Sequence, residues 1–266
     1  MNSAETPESR PSKMGPGRER IAEPDIARAA ALIADASRAR ILKALGDGRA
    51  VPSSLLAAEA GISAATVSGH LRKLVDAGLV IVERQGRHRY HRLAGPDVCM
   101  ALEALAVIAP PAPIASLRDS SRANALSRSR TCYDHLAGRL GVGVMQAMLR
   151  LGFLIGHDGL HRADRAVRDH SASYGHDFDY RLTESGRAGL SVLGVDVDRL
   201  PPRRPVVRYC VDWSEQRHHL AGALGAALTE RLFELGWIRA GSTPRIVHLT
   251  DVGATGLKEH FGLSDC

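Results

Sequence analysis

The chain runs to 266 residues with a formal net charge of +6, enough for one large domain or two ordinary ones, and its basic balance suits an anionic partner. It has no run near the roughly 18 apolar residues of a membrane span, and no apolar core of a secretory signal near its start, so a cytoplasmic location is expected. Cys99, Cys132, Cys210 and Cys266 lie far apart with no CxxC pair, which argues against a disulfide scaffold or a zinc ribbon and fits reduced thiols.

Residues 1–20 are polar and read as a disordered tail. Ile26, Ala29, Ala30 and Ile33 then fall on one helical face, and Ile41, Leu42 and Leu45 on another after Ser37. The breaker cluster GDGRAVPSS ends in an expected N-cap serine, and a short helix follows that closes on Gly61. Ser63 caps a third helix to Gly78, with Val67, Leu71, Leu74 and Val75 in one stripe and Thr66, Ser68, His70, Arg72 and Lys73 opposite. Residues 79–93 alternate and pivot on Gln85-Gly86, as a β-hairpin does, and a further helix runs from Pro96 or Asp97 to Pro110-Pro111.

The charge sits in this front part. Residues 1–95 hold 15 Lys and Arg against 10 Asp and Glu, whereas residues 96–266 hold 20 against 19. Six of the front cations fall within 63–92, opposed only by Asp76 and Glu83. Charge alone fits a solvated helix face and a polar loop equally well. Helix, turn, helix and basic hairpin in about 60 residues describe a winged helix-turn-helix, in which one helix enters the major groove and the hairpin lays cations along the backbone.

The stretches DASRARILKAL, TVSGHLRKLVDAGLV and VERQGRHRYHRLAG resemble the ArsR family of winged-helix transcriptional repressors over residues 22–109. The resemblance implies a homodimer, paired through the first and last helices of this domain, on an inverted-repeat operator in double-stranded DNA. It implies DNA contacts from Ser63, Thr66, Val67, Ser68, His70 and Arg72, and from Arg84, Gln85, Arg87 and Arg89 in the wing. His70 suits a phosphate contact better than a base contact. The sensor sites of the family are not matched: residues 50–58 hold no cysteine, and Cys99 reads as a small core residue beside Asp97 and Glu103.

The second half contains an internal repeat. HLAGRLG at 135–141 recurs as HLAGALG at 219–225, Arg130-x-Cys132-x-Asp134 as Arg208-x-Cys210-x-Asp212, and LTxxGxxxL occurs at 182–190 and 249–257. Each copy reads as a capped helix, a strand, a returning strand and a helix, with Asp134 as one N-cap and Asp212 with Glu215 as a capping box. The expected architecture is α+β and mostly helical. A winged helix-turn-helix (21–110) and a linker (111–128) precede two winged-helix-like repeats (129–200 and 201–266).

A pseudo-twofold axis relating the copies would bring Cys132, His135, Cys210 and His219 together, a donor set suited to zinc or a softer metal ion. The same residues also fit three other roles: buried structural positions, a thiol redox pair, or a pocket for an organic or anionic ligand near Arg130 and Arg208. The insert between the strands of the first copy carries His157, His161, His170 and His176 among aspartates, a composition that binds metal or merely solvates a loop. No nucleotide loop, GxSxG elbow or HExxH pair occurs, so the expected function is a DNA-binding regulator with a sensing or assembly region and no enzymatic activity. The alternative is a DNA-binding domain fused to a Cys/His-dependent enzyme.

Overall fold

The structure, a computed structural model, describes residues 23–114, 116–161 and 180–264. Helices α1 (Ile26–Ile33) and α2 (Ala36–Ala44) each open on an aspartate. Asp25 accepts the N–H of Arg28 and Asp35 that of Arg38, both at 2.9 Å. The break therefore falls at Asp35, ahead of Ser37. Strand β1 (Val51–Pro52) leads into α3 (Ser53–Ala60), whose N-cap is Pro52 in place of the expected serine and whose C-cap Gly61 takes φ 67. Then come α4 (Ala64–Asp76), β2 (Val80–Gln85), β3 (His88–Leu93) and α5 (Pro96–Ile108). The antiparallel sheet has the order β1-β3-β2. Ile41, Leu42, Leu45, Leu56, Val67, Leu71, Leu74, Val80 and Leu93 fill the core beneath it.

The expected linker is partly helical. Helix α6 (Leu117–Arg128) opens on Ser116, whose hydroxyl accepts the N–H of Asp119. It buries no side chain, so it lacks the apolar stripe by which periodicity reveals a helix. The S-x-x-D cap was its one local signal.

Beyond it the elements are β4 (Arg130–Cys132), β5 (His135–Ala137), α7 (Gly138–Arg150), β6 (Leu154–Ile155), β7 (Arg181–Leu182) and α8 (Glu184–Val192). After a single 3-10 turn (Val197–Arg199) come β8 (Arg208–Val211), β9 (His218–Ala221), α9 (Gly222–Glu234), β10 (Ile238–Ala240), β11 (Val247–Leu249) and α10 (Asp251–Phe261). The order ribbon, helix, ribbon, helix thus occurs twice. A two-stranded ribbon stands where each unit was expected to open on a capped helix. Asp134 and Asp212 consequently sit in turns, and Ala137 and Ala221 take the N-caps. Without a helix pair ahead of the second ribbon, neither unit has a helix-turn-helix of its own.

The LTxxGxxxL motif has a local cause. Thr183 and Thr250 cap their helices by accepting the N–H of Gly186 and Gly253, each at 3.0 Å. A Cβ on Gly253 would lie 2.0 Å from the Trp237 carbonyl oxygen, so only glycine lets the helix start against that strand. The two units exchange partners: α7 packs on β9, α9 on β5, and β5 on β9. One core results, with Leu140, Met145, Met148, Leu224, Leu228, Trp237 and Phe261 among its members. Cys132 and Ala137 face the other way and belong to the core of the front domain. The first ribbon therefore forms the seam between the two halves.

Candidate nucleic-acid interface and buried thiol–imidazole site

Helix α4 and the β2–β3 hairpin present the expected basic face. Ser63, Thr66, Ser68 and Arg72 are exposed on α4, and Arg84, Gln85, Arg87 and Arg89 are exposed on the hairpin. Arg84 and Arg89 are cross-strand partners, and like charges directly opposite each other cost stability unless an anion lies over them. Among the described residues no ion pair involves Arg72, Arg84, Arg87 or Arg89, whereas Arg92 is held by Glu83.

Two of the expected contact residues do not face outward. Val67 is fully buried in the domain core, because it shares the apolar stripe with Leu71 and Leu74. His70 leans back towards α2, with Nδ1 3.8 Å from the Asp35 carboxylate. The hydroxyls of Ser63 and Thr66 lie 2.9 Å apart in the N-cap, and Ser68 donates to the Ala64 carbonyl.

The repeated residues of the second half converge. Cys132 lies opposite His135 across the first ribbon, and Cys210 opposite His219 across the third. The ribbons face each other, and the four ligand atoms all lie within 4.8 Å of one another. The imidazoles are 5.2 Å apart, centre to centre. Close approach depends on the repeated Leu-Gly steps: the Cβ of a side chain at Gly141 would lie 3.7 Å from His219 Cβ, and one at Gly225 3.3 Å from His135 Cβ.

Each imidazole is backed by a carboxylate. His135 Nδ1 lies 3.2 Å from Asp134, which Arg204 holds with two hydrogen bonds of 2.5 and 3.0 Å. His219 Nδ1 lies 3.2 Å from fully buried Asp212. Asp212 also accepts from Arg130 at 3.0 Å, from Gly138 N–H at 2.7 Å and from Ser214. The expected capping box is a turn around this carboxylate. Nδ1 of His135 is thereby hydrogen-bonded, whereas Nδ1 of His219 faces Asp212 without a hydrogen bond, and both Nε2 atoms are buried with no hydrogen-bond partner among the described residues. Metal-ligating histidines are oriented by such carboxylates.

Charge is shared unevenly among the sulfurs. Hydrogen bonds from Cys210 and Cys99, with help from His135, hold Cys132 well below the usual thiol range. Cys210 and Cys99 are pushed well above it, first by that pairing with Cys132 and then by burial. Burial works against a charged His135, but Cys132 and Asp134 outweigh it and hold the ring up at about 9. Burial likewise opposes the charge on Asp134, and His135 and Arg204 overcome it and hold the carboxyl at about 2.

The sequence did not single out Cys99, Glu103, Arg204 or Arg245 for this site. Arg245 donates to Thr131 O at 3.0 Å and pairs with Glu103 of α5. Its own N–H reaches Asp47 at 3.4 Å. Arg208, expected beside the thiols, is half-buried in β8. Of the insert histidines, His157 stacks on His218 and contacts Tyr180 at 3.3 Å; His161 is half-buried. His170 and His176 lie outside the described residues. No helix among the described residues is long and apolar enough to cross a membrane.

A helix-turn-helix flanked by a basic antiparallel wing defines a winged-helix DNA-binding protein, and comparison with known proteins agrees. A family model described as a helix-turn-helix domain matches residues 33–83. The uncharacterized HTH-type transcriptional regulator YdfF of Bacillus subtilis is 38% identical over 241 residues, covering 90% of this chain and 98% of that protein. The HTH-type transcriptional regulator CmtR of Mycobacterium tuberculosis is 40% identical over 80 residues, 30% of this chain and 67% of its own. Among solved structures, the homodimeric winged helix-turn-helix domain Mb0332 of Mycobacterium bovis, described as a possible ArsR-family regulator, covers 31% of this chain and 76% of its own. Its identity is 31% and its TM-score 0.30.

The chain belongs to the HTH-type transcriptional regulators. It is a transcriptional regulator with a helix-turn-helix DNA-binding domain. These relatives give no support to an enzymatic second half.

Proposed function

We propose that the chain is a dimeric repressor whose operator affinity is set by a metal ion held by Cys132, His135, Cys210 and His219. The observation that carries this reading is the convergence of two thiols and one nitrogen from each of two imidazoles within 4.8 Å, with both Nε2 atoms lacking a hydrogen-bond partner among the described residues. Tetrahedral zinc with two sulfur and two nitrogen ligands has ligand–ligand edges of about 3.3–3.8 Å. The set thus needs to contract by no more than about 1.5 Å. Zinc and softer divalent ions both suit thiolate and imidazole donors. Asp134 holds Nδ1 of His135 and Asp212 lies beside Nδ1 of His219, so Nε2 is the nitrogen left to ligate. Uptake of the ion releases protons from the thiols and from the imidazoles, which the carboxylates and Cys132 hold above their ordinary value against burial.

Ser63, Thr66, Ser68 and Arg72 contact the major groove in this reading, and Arg84, Gln85, Arg87 and Arg89 contact the flanking backbone. His70 and Val67 support the recognition helix from behind. The dimer forms through α1 and α5, which leave apolar side chains uncovered: Ile26 is 76% exposed, and Leu105 and Ile108 are also exposed. Two copies related by a twofold axis read an inverted repeat.

Metal analysis and native mass spectrometry of the purified protein test the site, with binding to the region upstream of its own gene as the functional readout. One ion per chain is expected, together with an operator affinity that changes when zinc is chelated. The Cys132→Ser/Cys210→Ser variant should lose both. If it keeps the ion and the response, the site is not the sensor.

A further inference from the structure

Three cysteines, not two, meet at this seam, and each comes from a different part of the chain. Cys132 on β4 lies in the two-cysteine, two-histidine group, and also within 4.8 Å of Cys99 and Glu103 of α5. We propose that Cys99 is a third sulfur ligand that joins Cys132 and Cys210 around a thiophilic ion and displaces one imidazole, whereas zinc stays with two sulfurs and two nitrogens. This inference rests on the metal reading above and names the class of ion that operates the regulator.

Four observations carry it. Cys132 is the shared member of both groups, whereas Cys99 and Cys210 share none, so an ion that takes all three sulfurs draws Cys99 and α5 towards it. Cys99 is fully buried, and its thiol is held by a long contact to Gly46 O at 3.4 Å and by its pairing with Cys132, weak bonds that ligation would give up cheaply. Glu103 is the other donor on α5, but Arg245 already holds it, with Arg130 3.7 Å away. That leaves the thiol as the only donor of the pair not held by a counter-charge.

The fourth observation is electrostatic. Three thiolates around a divalent ion carry one net negative charge. Buried Arg130 and Arg245, though paired with Asp212 and Glu103, keep two positive groups beside the cluster, and Cys99 and Cys132 both act on the charge of Arg245. Softer ions favour sulfur over imidazole, and zinc is content with either. The step is ligand exchange without oxidation: the ion accepts three sulfur lone pairs, the thiol protons leave to solvent, and the released imidazole stays beside its carboxylate.

The consequence is selectivity. Zinc acts on α5, the helix proposed to pair the two protomers, only through Arg245 and Glu103, whereas an ion that recruits Cys99 also pulls on it directly.

The test uses the full chain loaded with cadmium or with zinc, with X-ray absorption counting the sulfurs and chelator competition measuring affinity. Cadmium should show three sulfurs in the wild type and two in Cys99→Ser. Zinc should show two in both. Cadmium affinity should fall about tenfold or more in Cys99→Ser, and zinc affinity by less than about threefold. Cys99→Ala serves beside it, since it leaves no hydroxyl in the core, and thermal melts of both variants confirm folding. Two sulfurs around cadmium in the wild type, or equal losses for both ions, would overturn the proposal. Retention of both ions by Cys132→Ser/Cys210→Ser would instead remove the metal reading itself.

Discussion

Gly141 and Gly225 show how single atoms decide whether the buried site exists. Each lies in the first turn of a helix that packs on the ribbon of the other copy. A Cβ on Gly141 would meet the Leu136 carbonyl at 2.4 Å, and one on Gly225 the Leu220 carbonyl at 2.7 Å. Backbone cannot step aside, so Gly141→Ala should cost about 1–3 kcal/mol or more through forced displacement. Gly69 on α4 has nothing within 4 Å of an added Cβ. There Gly69→Ala should instead stabilise by roughly 0.5–1 kcal/mol, because a helix interior prefers alanine. Thermal unfolding of the two variants decides between these opposite signs. His91 supplies a pH-dependent case. Burial, aided by Arg89 and opposed by the backbone of Val51, holds it below its ordinary value near 6.5. The folded state keeps the ring neutral where the unfolded chain protonates it. Its contribution to stability should therefore be full above about pH 6.5 and decline as pH falls from there towards the depressed folded value. His135 and His219, held above their ordinary value, contribute with the opposite sign over this range. Melts at pH 7.5 and 5.5 should therefore show acidification favouring His91→Gln relative to the wild type; an equal change in both would remove His91 as a cause.

Recognition helix and wing were legible because their chemistry is local. Ser63 caps, the apolar stripe repeats at helical spacing, and Gln85-Gly86 turns the hairpin, so nearest neighbours in sequence carried the message. The same reading put Val67 on the DNA face, although its place in the apolar stripe already demanded burial. Helix α6 escaped because a helix that buries nothing has no periodicity to detect. The thiol–imidazole site was legible for another reason: duplication wrote the same Cys and His twice, and a pseudo-twofold axis turns two copies into one cluster. Cys99 and Arg245 had no such duplicate, and their contacts span 53 and 142 positions. Local pattern cannot carry that distance. For the wing the expected result is specific. Arg87→Ala/Arg89→Ala should weaken binding on all DNA sequences alike and lower the slope of log affinity against log salt by about 2. Ser68→Ala should alter base preference with little change in that slope. Titrations at several salt concentrations separate the two, and an intact slope in the arginine variant would move the phosphate contacts elsewhere.

Regulation requires that the second half act on the first, and the connection runs through few groups. Tyr133 N–H donates to Gly46 O at 2.7 Å and Thr131 N–H to Arg245 O at 2.9 Å. Arg245 then gathers Asp47 from the α2–β1 loop, Thr131 from β4 and Glu103 from α5. One guanidinium thus joins the first ribbon to α5, the helix proposed to pair the protomers. A ligand shifts an equilibrium only by its differential affinity for the two states, and that difference must pass through contacts of this kind. Arg245→Ala leaves Glu103 buried beside Arg130 alone, so a loss of about 3 kcal/mol is expected from the uncompensated carboxylate. Adding Glu103→Gln removes that charge and should recover part of the loss, which a double-mutant cycle measures as coupling. Neither residue belongs to the two-cysteine, two-histidine set, so the double variant should still take up zinc. Its operator affinity should no longer change when zinc is added or chelated, because the path from β4 to α5 is cut. Reciprocity sharpens the measurement: in the wild type, operator DNA must change zinc affinity by the same factor as zinc changes operator affinity, and in the double variant both factors should fall to one. A double variant that binds zinc and responds as the wild type does would place the coupling outside the Arg245 junction, in the backbone bonds between Tyr133 and Gly46.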